Sequence, residues 1–145
     1  MSPMFIPGPV DVHPQVLASQ AQPMLPHRSR EFESLFRRTW EKARQLFYTQ
    51  ARVFISTSSG SGLQEAAVRN LVRKDVLCCV NGAFSKRWHE VALTNGKQAD
   101  ALEVAWGQPI TPDRVVAALR QKHYEAITIV HNETSTGVQS PIKEI

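Results

Sequence analysis

The sequence of 145 residues lacks an apolar run long enough to cross a membrane, and its first residues do not have the layout of a signal peptide. It also lacks low-complexity tracts and repeats at the periods of solenoid proteins. These absences argue against a membrane-bound protein and against a repeat architecture. We therefore expect a globular, cytoplasmic domain with one hydrophobic core.

Cysteine is scarce, and the two that are present, Cys78 and Cys79, are neighbours in an apolar run. Adjacent cysteines cannot link distant segments, so the run is predicted to be a buried strand in a reducing compartment. The formal net charge is +4, but no block of lysine or arginine is interleaved with aromatic residues. Nucleic-acid binding is therefore not expected. A metal site is not expected either.

What is present is an alternation of strand-like and helix-like segments. Apolar runs predict strands at 53–56, 76–80, 101–104 and 126–130, and amphipathic spacing predicts helices at 30–48, 61–73, 83–94 and from Pro112. This order predicts an α/β fold, a mainly parallel sheet flanked by helices, over residues 30–145. Six prolines favour an extended arm over 1–29, in which a short helix can begin at Pro14.

The rest of the chain is organised around the loop Ser59-Gly60-Ser61-Gly62, which follows the first predicted strand and opens a helix. Glycines let the backbone approach a ligand, and the first-turn amides of a helix have no partner within it, so the loop can hold a phosphate. It lacks the Gly-Lys-Ser/Thr ending of a Walker loop and the third glycine of a dinucleotide fingerprint. An ordinary helix start, with Ser58 or Ser59 as the N-cap, explains the same residues.

Two further loops follow predicted strands, at 81–88 and at 131–137. Ligands of parallel sheets bind outside the carboxyl ends of the strands. The three loops are therefore predicted to converge on one edge of the sheet.

In order and spacing, these loops resemble the class V aminotransferases, and within them the alanine/serine–glyoxylate aminotransferase branch. The resemblance covers nearly the whole chain. The motifs that carry it are Ser59-Gly60-Ser61-Gly62 with Glu65-Ala66-Ala67, Asn81-Gly82-Ala83-Phe84-Ser85-Lys86-Arg87-Trp88, His131-Asn132-Glu133-Thr134-Ser135-Thr136-Gly137-Val138, and the leading Pro7-Gly8-Pro9-Val10 and His27-Arg28-Ser29.

The resemblance implies part of a fold-type I large domain that binds pyridoxal 5′-phosphate. Ser59, Gly60 and Ser61 would hold the phosphate. Phe84 would stack on the pyridine ring, and Thr134 would form a hydrogen bond near its phenolic oxygen. Considered alone, Phe84 can also be a core residue in the first turn of a helix, and Thr134 can belong to a capping turn.

The implied reaction is amino-group transfer from a small amino acid, of the alanine or serine type, to a 2-oxo acid such as glyoxylate. Pro7, Gly8 and Pro9 would lie beside the substrate. The full-length form would be a homodimer, with the arm and the helix at 30–48 at its interface.

The reaction requires a lysine that forms a Schiff base with the cofactor, and none of the six lysines matches that position. In the family this lysine comes later than the loop at 131–138. We therefore expect a truncated chain that cannot transaminate alone, and no catalytic residue is assigned. Two alternatives are a non-catalytic domain that binds phosphate ligands and a remnant that pairs with partner subunits. A nucleotide-binding domain would leave Phe84 and Thr134 unexplained.

Overall fold

The structure is a computed structural model that describes residues 4–145. The first three residues of the arm predicted at 1–29 lie outside the described residues. The contacts divide the chain into one unit that ends at Ser56 and a second unit that begins at Thr57. The boundary at residues 29 and 30, between arm and sheet domain, stays a prediction.

The first unit contains two helices, α1 (Pro14–Gln20) and α2 (Arg30–Leu46). Pro14 occupies the start of α1, where its missing N–H costs no hydrogen bond. Ser29 caps α2, because its Oγ accepts a hydrogen bond of 3.1 Å from the amide of Phe32. Both predicted helices are present, and α2 ends two residues earlier than the predicted span.

The apolar stripe of α2 does not enter a core. None of the residues of α2 is buried, and both Leu35 and Phe36 are exposed. Phe36 stacks on Phe32 with ring centroids 6.3 Å apart. An exposed apolar stripe of this kind is typical of a surface that meets another element or subunit.

The second unit is built on a parallel sheet of three strands. The central strand β1 (Asp75–Val80) pairs with β2 (Gln98–Glu103) on one side and with β3 (Ala126–Thr128) on the other. The helices are α3 (Gly60–Leu71), α4 (Ala83–Thr94) and α5 (Pro112–Gln121), and a short antiparallel pair follows, β4 (Asn132–Glu133) and β5 (Val138–Gln139). The α/β fold with a parallel sheet flanked by helices is therefore confirmed. Within residues 4–145, no helix combines the length and hydropathy that a membrane crossing needs.

Both faces of β1 are covered, and the core of the second unit forms around it. On one face Val76, Cys78 and Val80 pack with residues of α3 and α4; on the other, Cys79 packs with Val104, Ile110 and Val115. A strand covered on both faces has a continuous apolar sequence, and this pattern is the basis on which the buried strand at 76–80 was predicted. Burial raises the pKa of the Cys79 thiol to about 12, so that thiol stays protonated and unreactive.

The predicted strand at 53–56 is wrong. This segment forms no ladder in the described structure, and the side chain of Phe54 is 84% exposed. A strand exists only when a neighbour pairs with it, and in the described residues this segment pairs with none of β1, β2 and β3. Two other boundaries also moved, since β2 begins three residues before the predicted position and β3 ends at Thr128.

Candidate functional site

The first part of the site is the tight connection between β1 and α4. Asn81 and Gly82 follow the last residue of β1 directly and are both buried. The hydroxyl of Ser85 accepts hydrogen bonds from their two amides, at 2.9 Å from Asn81 and 3.0 Å from Gly82. Two amides that would otherwise have no partner at the helix start are thereby satisfied.

A buried carboxylate, Glu133, joins this connection to the loop that follows β3. Its Oε2 accepts hydrogen bonds from the amide and the hydroxyl of Ser85, both at 2.8 Å. Its Oε1 accepts from the amide of Phe84 at 3.3 Å and from the hydroxyl of Ser135 at 2.7 Å. That hydroxyl in turn accepts from the amide of Ala83 at 2.9 Å. The positive end of the α4 dipole thus faces a carboxylate of the protein itself.

The environment of Glu133 fixes its charge. Burial alone would raise the pKa of this carboxyl, because it disfavours the charged form. Hydrogen bonds from Ser135, Ser85 and Phe84 stabilise the carboxylate more strongly, so its pKa lies below the ordinary value of a glutamate. Glu133 is therefore ionised at neutral pH.

This lowered pKa predicts a loss of stability in acid. A carboxyl with a lower pKa in the folded than in the unfolded chain stabilises the fold above the unfolded pKa. That contribution disappears as the pH falls below about 4.3, the ordinary pKa of glutamate. Urea unfolding between neutral pH and acid should therefore show a shallower pH dependence for Glu133→Gln than for the parent chain. The exposed Glu144→Gln is the control for the loss of one acidic side chain, and equal slopes for the two variants would contradict the assignment.

Two predicted site residues, Phe84 and Thr134, stand on the two segments that Glu133 joins. The Phe84 side chain is 53% exposed, so it is not a core residue of α4. Thr134 is exposed, and within residues 4–145 its hydroxyl has no hydrogen-bond partner. The turn after it is closed by hydrogen bonds from the amides of Thr136 and Gly137 to the carbonyl of Glu133. The structure therefore brings Phe84 and Thr134 to one edge with an aromatic face and a hydroxyl available.

The glycine loop forms the start of α3. Ser59 is the N-cap, since its Oγ accepts a hydrogen bond of 3.3 Å from the amide of Gly62. Gly60 faces open space, with no heavy atom within 4 Å of the position that a Cβ would occupy. The structure thus shows the ordinary helix cap. Ser58 Oγ lies 3.0 Å from the position that a Cβ on Gly62 would occupy, whereas the Gly60 side of the α3 start is open to a ligand.

The helices α3 and α4 begin at the same edge of the sheet. α3 leads into the start of β1 and α4 leads out of its end, so both helices run back along the sheet from its carboxyl edge. Ser59, Ser61 and Gly62 line a surface cleft of about 350 Å³ together with Arg87 of α4. On α4 this cleft extends from Arg87 to Thr94 and does not include Phe84, so contact between the glycine loop and the start of α4 stays a prediction.

Three of the six lysines lie at the opposite edge of the sheet, whereas Lys86 lies in the first turn of α4, two residues after Phe84. Lys74 and Lys97 precede β1 and β2, so they lie at the amino edge. Lys122 lies at that edge too, with its Nζ 2.7 Å from Oδ1 of Asp75 and 2.9 Å from Oδ2 of Asp100. These carboxylates raise the pKa of Lys122, so its amine stays charged and is a poor nucleophile.

Pro7, Gly8 and Pro9 belong to the first unit and are exposed, and the Gly8–Pro9 peptide bond is cis. Their predicted place beside the substrate stays a prediction.

The comparisons with known proteins point one way. An uncharacterized aminotransferase of Methanocaldococcus jannaschii is 37% identical over 145 residues, which is 98% of this chain and 38% of that protein. The serine–glyoxylate aminotransferase of Methylorubrum extorquens is 36% identical over 96% of this chain and 36% of its own length. The crystal structure of an alanine–glyoxylate aminotransferase from Nostoc superposes on 94% of this chain and 37% of that one, with a TM-score of 0.89 and 27% identity. The chain matches the amino-terminal part of class V aminotransferases. No protein-family model matches the sequence.

The chain spans less than two fifths of the length of the aminotransferases it matches. The resemblance drawn from the three loops is confirmed, and so are the partial fold-type I domain and the pyridoxal 5′-phosphate expected for such a protein. The donor set of this edge fits that cofactor. The open start of α3 suits a phosphate, Phe84 offers a ring face, and the hydroxyl of Thr134 suits the phenolic oxygen.

Sequence reasoning missed the residues that hold this edge together: Gly82, Ser85, Glu133 and Ser135. Each stands within a motif that carries the aminotransferase resemblance, but none was given a role. An acidic residue in a polar loop, expected at the same edge as a helix start, is the signal that could have identified Glu133.

Proposed function

We propose that this chain supplies the phosphate cradle and one ring contact of a class V aminotransferase that uses pyridoxal 5′-phosphate. In this proposal Ser59, Gly60 and Ser61 hold the phosphate, Phe84 stacks on the ring, and Thr134 forms a hydrogen bond near the phenolic oxygen. The observation that carries it is the difference between the two helix starts. Glu133 already occupies the anion site of α4, whereas the start of α3 is open. Of these two helix starts, a phosphate therefore has that of α3 available to it.

The proposed reaction is transfer of an amino group from a small amino acid, such as alanine or serine, to a 2-oxo acid such as glyoxylate. The names of the relatives support it, since they include serine–glyoxylate and alanine–glyoxylate aminotransferases. When bound, the cofactor acts as an electron sink for the substrate carbon that loses its proton. The residues of this chain bind and orient the ring; Pro7, Gly8 and Pro9 are proposed to contact the substrate.

We also propose that the full-length protein is a cytoplasmic homodimer. The exposed stripe of α2 supports a subunit contact, because Leu35, Phe36 and Leu46 are apolar and none of them is buried. A heteromer with a longer relative would use the same surface, and co-purification with such a subunit would distinguish the two assemblies.

Titration of the 145-residue chain with pyridoxal 5′-phosphate tests the proposed site. Binding, followed by tryptophan fluorescence, should be about three- to tenfold weaker in Phe84→Leu, because the variant loses an aromatic stacking contact. Ser61→Ala should weaken binding of the phosphate ester by about tenfold or more, because a hydrogen bond to a charged group is lost. Pyridoxal has no phosphate, so its affinity for Ser61→Ala should equal its affinity for the parent chain.

Ser34→Ala, a substitution on the exposed surface of α2, is the matched control and should bind as the parent does. The proposed cradle would be rejected if every variant bound each of the two ligands with the affinity of the parent chain. The bound cofactor should keep the absorption spectrum of the free aldehyde and the chain should show no transaminase turnover, because none of its six lysines matches the position of the Schiff-base lysine. Measurable turnover by the purified chain would contradict the assignment of the lysines.

A further inference from the structure

Glu133 connects every part of the edge that carries Phe84 and Thr134. Its carboxylate accepts from the amides of Phe84 and Ser85, and Thr134 is its immediate neighbour in the chain. The bonded residues lie 48 and 49 positions apart in sequence, so they hold together two segments that the backbone leaves separate. Phe84 is therefore fixed from its own amide, although its side chain projects into solvent.

The hydrogen bonds require a carboxylate specifically. Oε1 and Oε2 each face a backbone N–H, from Phe84 and Ser85 respectively. The Ser135 hydroxyl accepts a hydrogen bond from the amide of Ala83 and donates its single proton to Oε1. A glutamine would have to place its NH2 group against backbone donors on one of the two sides. The isosteric amide cannot satisfy both sides.

The stem of Glu133 is also confined by the backbone. A Cβ built on Gly82 would lie 2.5 Å from Cγ of Glu133 and 2.6 Å from its Cδ. The glutamate chain therefore lies directly against the backbone between β1 and α4. An aspartate, one methylene shorter, would fill less of this space and could not reach both sets of donors.

We propose that Glu133 is a positioning residue that fixes the orientation of the Phe84 ring against the cofactor ring and restricts the motion of Phe84. Glu133 does not touch the cofactor in this arrangement; it acts through the amides of Ala83, Phe84 and Ser85, directly or by way of Ser135. The role in cofactor binding rests on the proposed function above, whereas the fixing of the α4 start does not.

Two readouts on the full 145-residue chain separate these claims. Hydrogen exchange of the amides of residues 83–85 reports on the fixed start of α4. In Glu133→Gln these amides should exchange about tenfold faster or more, because hydrogen bonds to a charged acceptor are lost. Affinity for pyridoxal 5′-phosphate should fall about three- to tenfold, the range expected for a misplaced aromatic contact. Glu144→Gln is the control and should change neither readout.

A double-mutant cycle distinguishes positioning from general destabilisation. If Glu133 acts through Phe84, Glu133→Gln should change the Kd by less than about twofold in the Phe84→Leu background. An equal loss of affinity in both backgrounds would overturn the positioning role. Ser135→Ala removes one donor and the acceptor of the Ala83 amide, and it serves as the milder variant should Glu133→Gln fail to fold. It should speed exchange at Ala83 most.

The failures of the two proposals look different. Unchanged exchange at residues 83–85 in both Glu133→Gln and Ser135→Ala would overturn the inference even if the parent chain binds the cofactor. Faster exchange in a chain that does not bind pyridoxal 5′-phosphate would reject the proposed function and the cofactor role of Glu133, and it would leave the fixing of α4 supported.

Discussion

Replacement of Gly82 by alanine is expected to lower the free energy of unfolding by about 3 kcal/mol or more. The added Cβ would lie 2.5 Å from Cγ of Glu133 and from Oγ of Ser135, which is closer than real Cβ contacts come. Either the carboxylate moves away from the start of α4, or the end of β1 shifts. Both responses break the hydrogen bonds from Phe84 and Ser85 to Glu133. The strain is steric, because the φ of 173° at Gly82 is open to any residue.

Gly60→Ala is the matched control for this measurement. Its new Cβ would meet no heavy atom within 4 Å, so the change in stability should stay within about 1 kcal/mol and favour the variant. Urea unfolding of the two variants and the parent gives the comparison. Similar stabilities for Gly82→Ala and Gly60→Ala would show that the contact between Gly82 and Glu133 is absent in solution.

The second large effect is expected in the central strand. Leu77 is 2% exposed and is among the largest fully buried side chains of the described residues. Leu77→Ala should lower the free energy of unfolding by about 3 kcal/mol, through lost burial and the cavity that remains. Because β1 leads directly into Asn81 and Gly82, a loosened strand should also weaken binding at the site.

Leu71→Ala provides the control, since Leu71 ends α3 with 72% of its surface exposed. This variant should lie within about 0.5 kcal/mol of the parent, as substitutions at exposed positions usually do. Urea unfolding again gives both values. Equal losses for the two leucines would mean that β1 is not covered on both faces.

The sheet could be predicted because its elements carry local signals. A continuous apolar run predicted that β1 is a buried strand, and alternation with amphipathic helices predicted parallel pairing. The segment at 53–56 has the same apolar character and forms no strand. Apolar residues show that a segment can pair, but the pairing partner is a property of the whole sheet. The sequence of that segment alone therefore does not show whether a pairing partner exists.

The site was predicted in part for a similar reason. Phe84, Thr134 and the glycine loop follow or precede regular elements, so the ends of strands and helices placed them at one edge. The contacts of Glu133 were not predicted, because its partners lie 48 and 49 residues away. A glycine such as Gly82 reads as a turn residue in sequence. Glycine is needed at this position because the side chain of Glu133 packs against the backbone and leaves no room for a Cβ.

The most direct test of the account is a map of amide chemical shifts of the 145-residue chain on addition of pyridoxal 5′-phosphate, with pyridoxal as the matched ligand. The account predicts that the phosphate ester shifts the amides of Gly60, Ser61 and Gly62 together with those of Phe84 and Thr134. Pyridoxal should affect Phe84 and Thr134 but leave the glycine loop unchanged. Shifts confined to the amino edge around Lys122, or identical responses to the two ligands at the glycine loop, would contradict it.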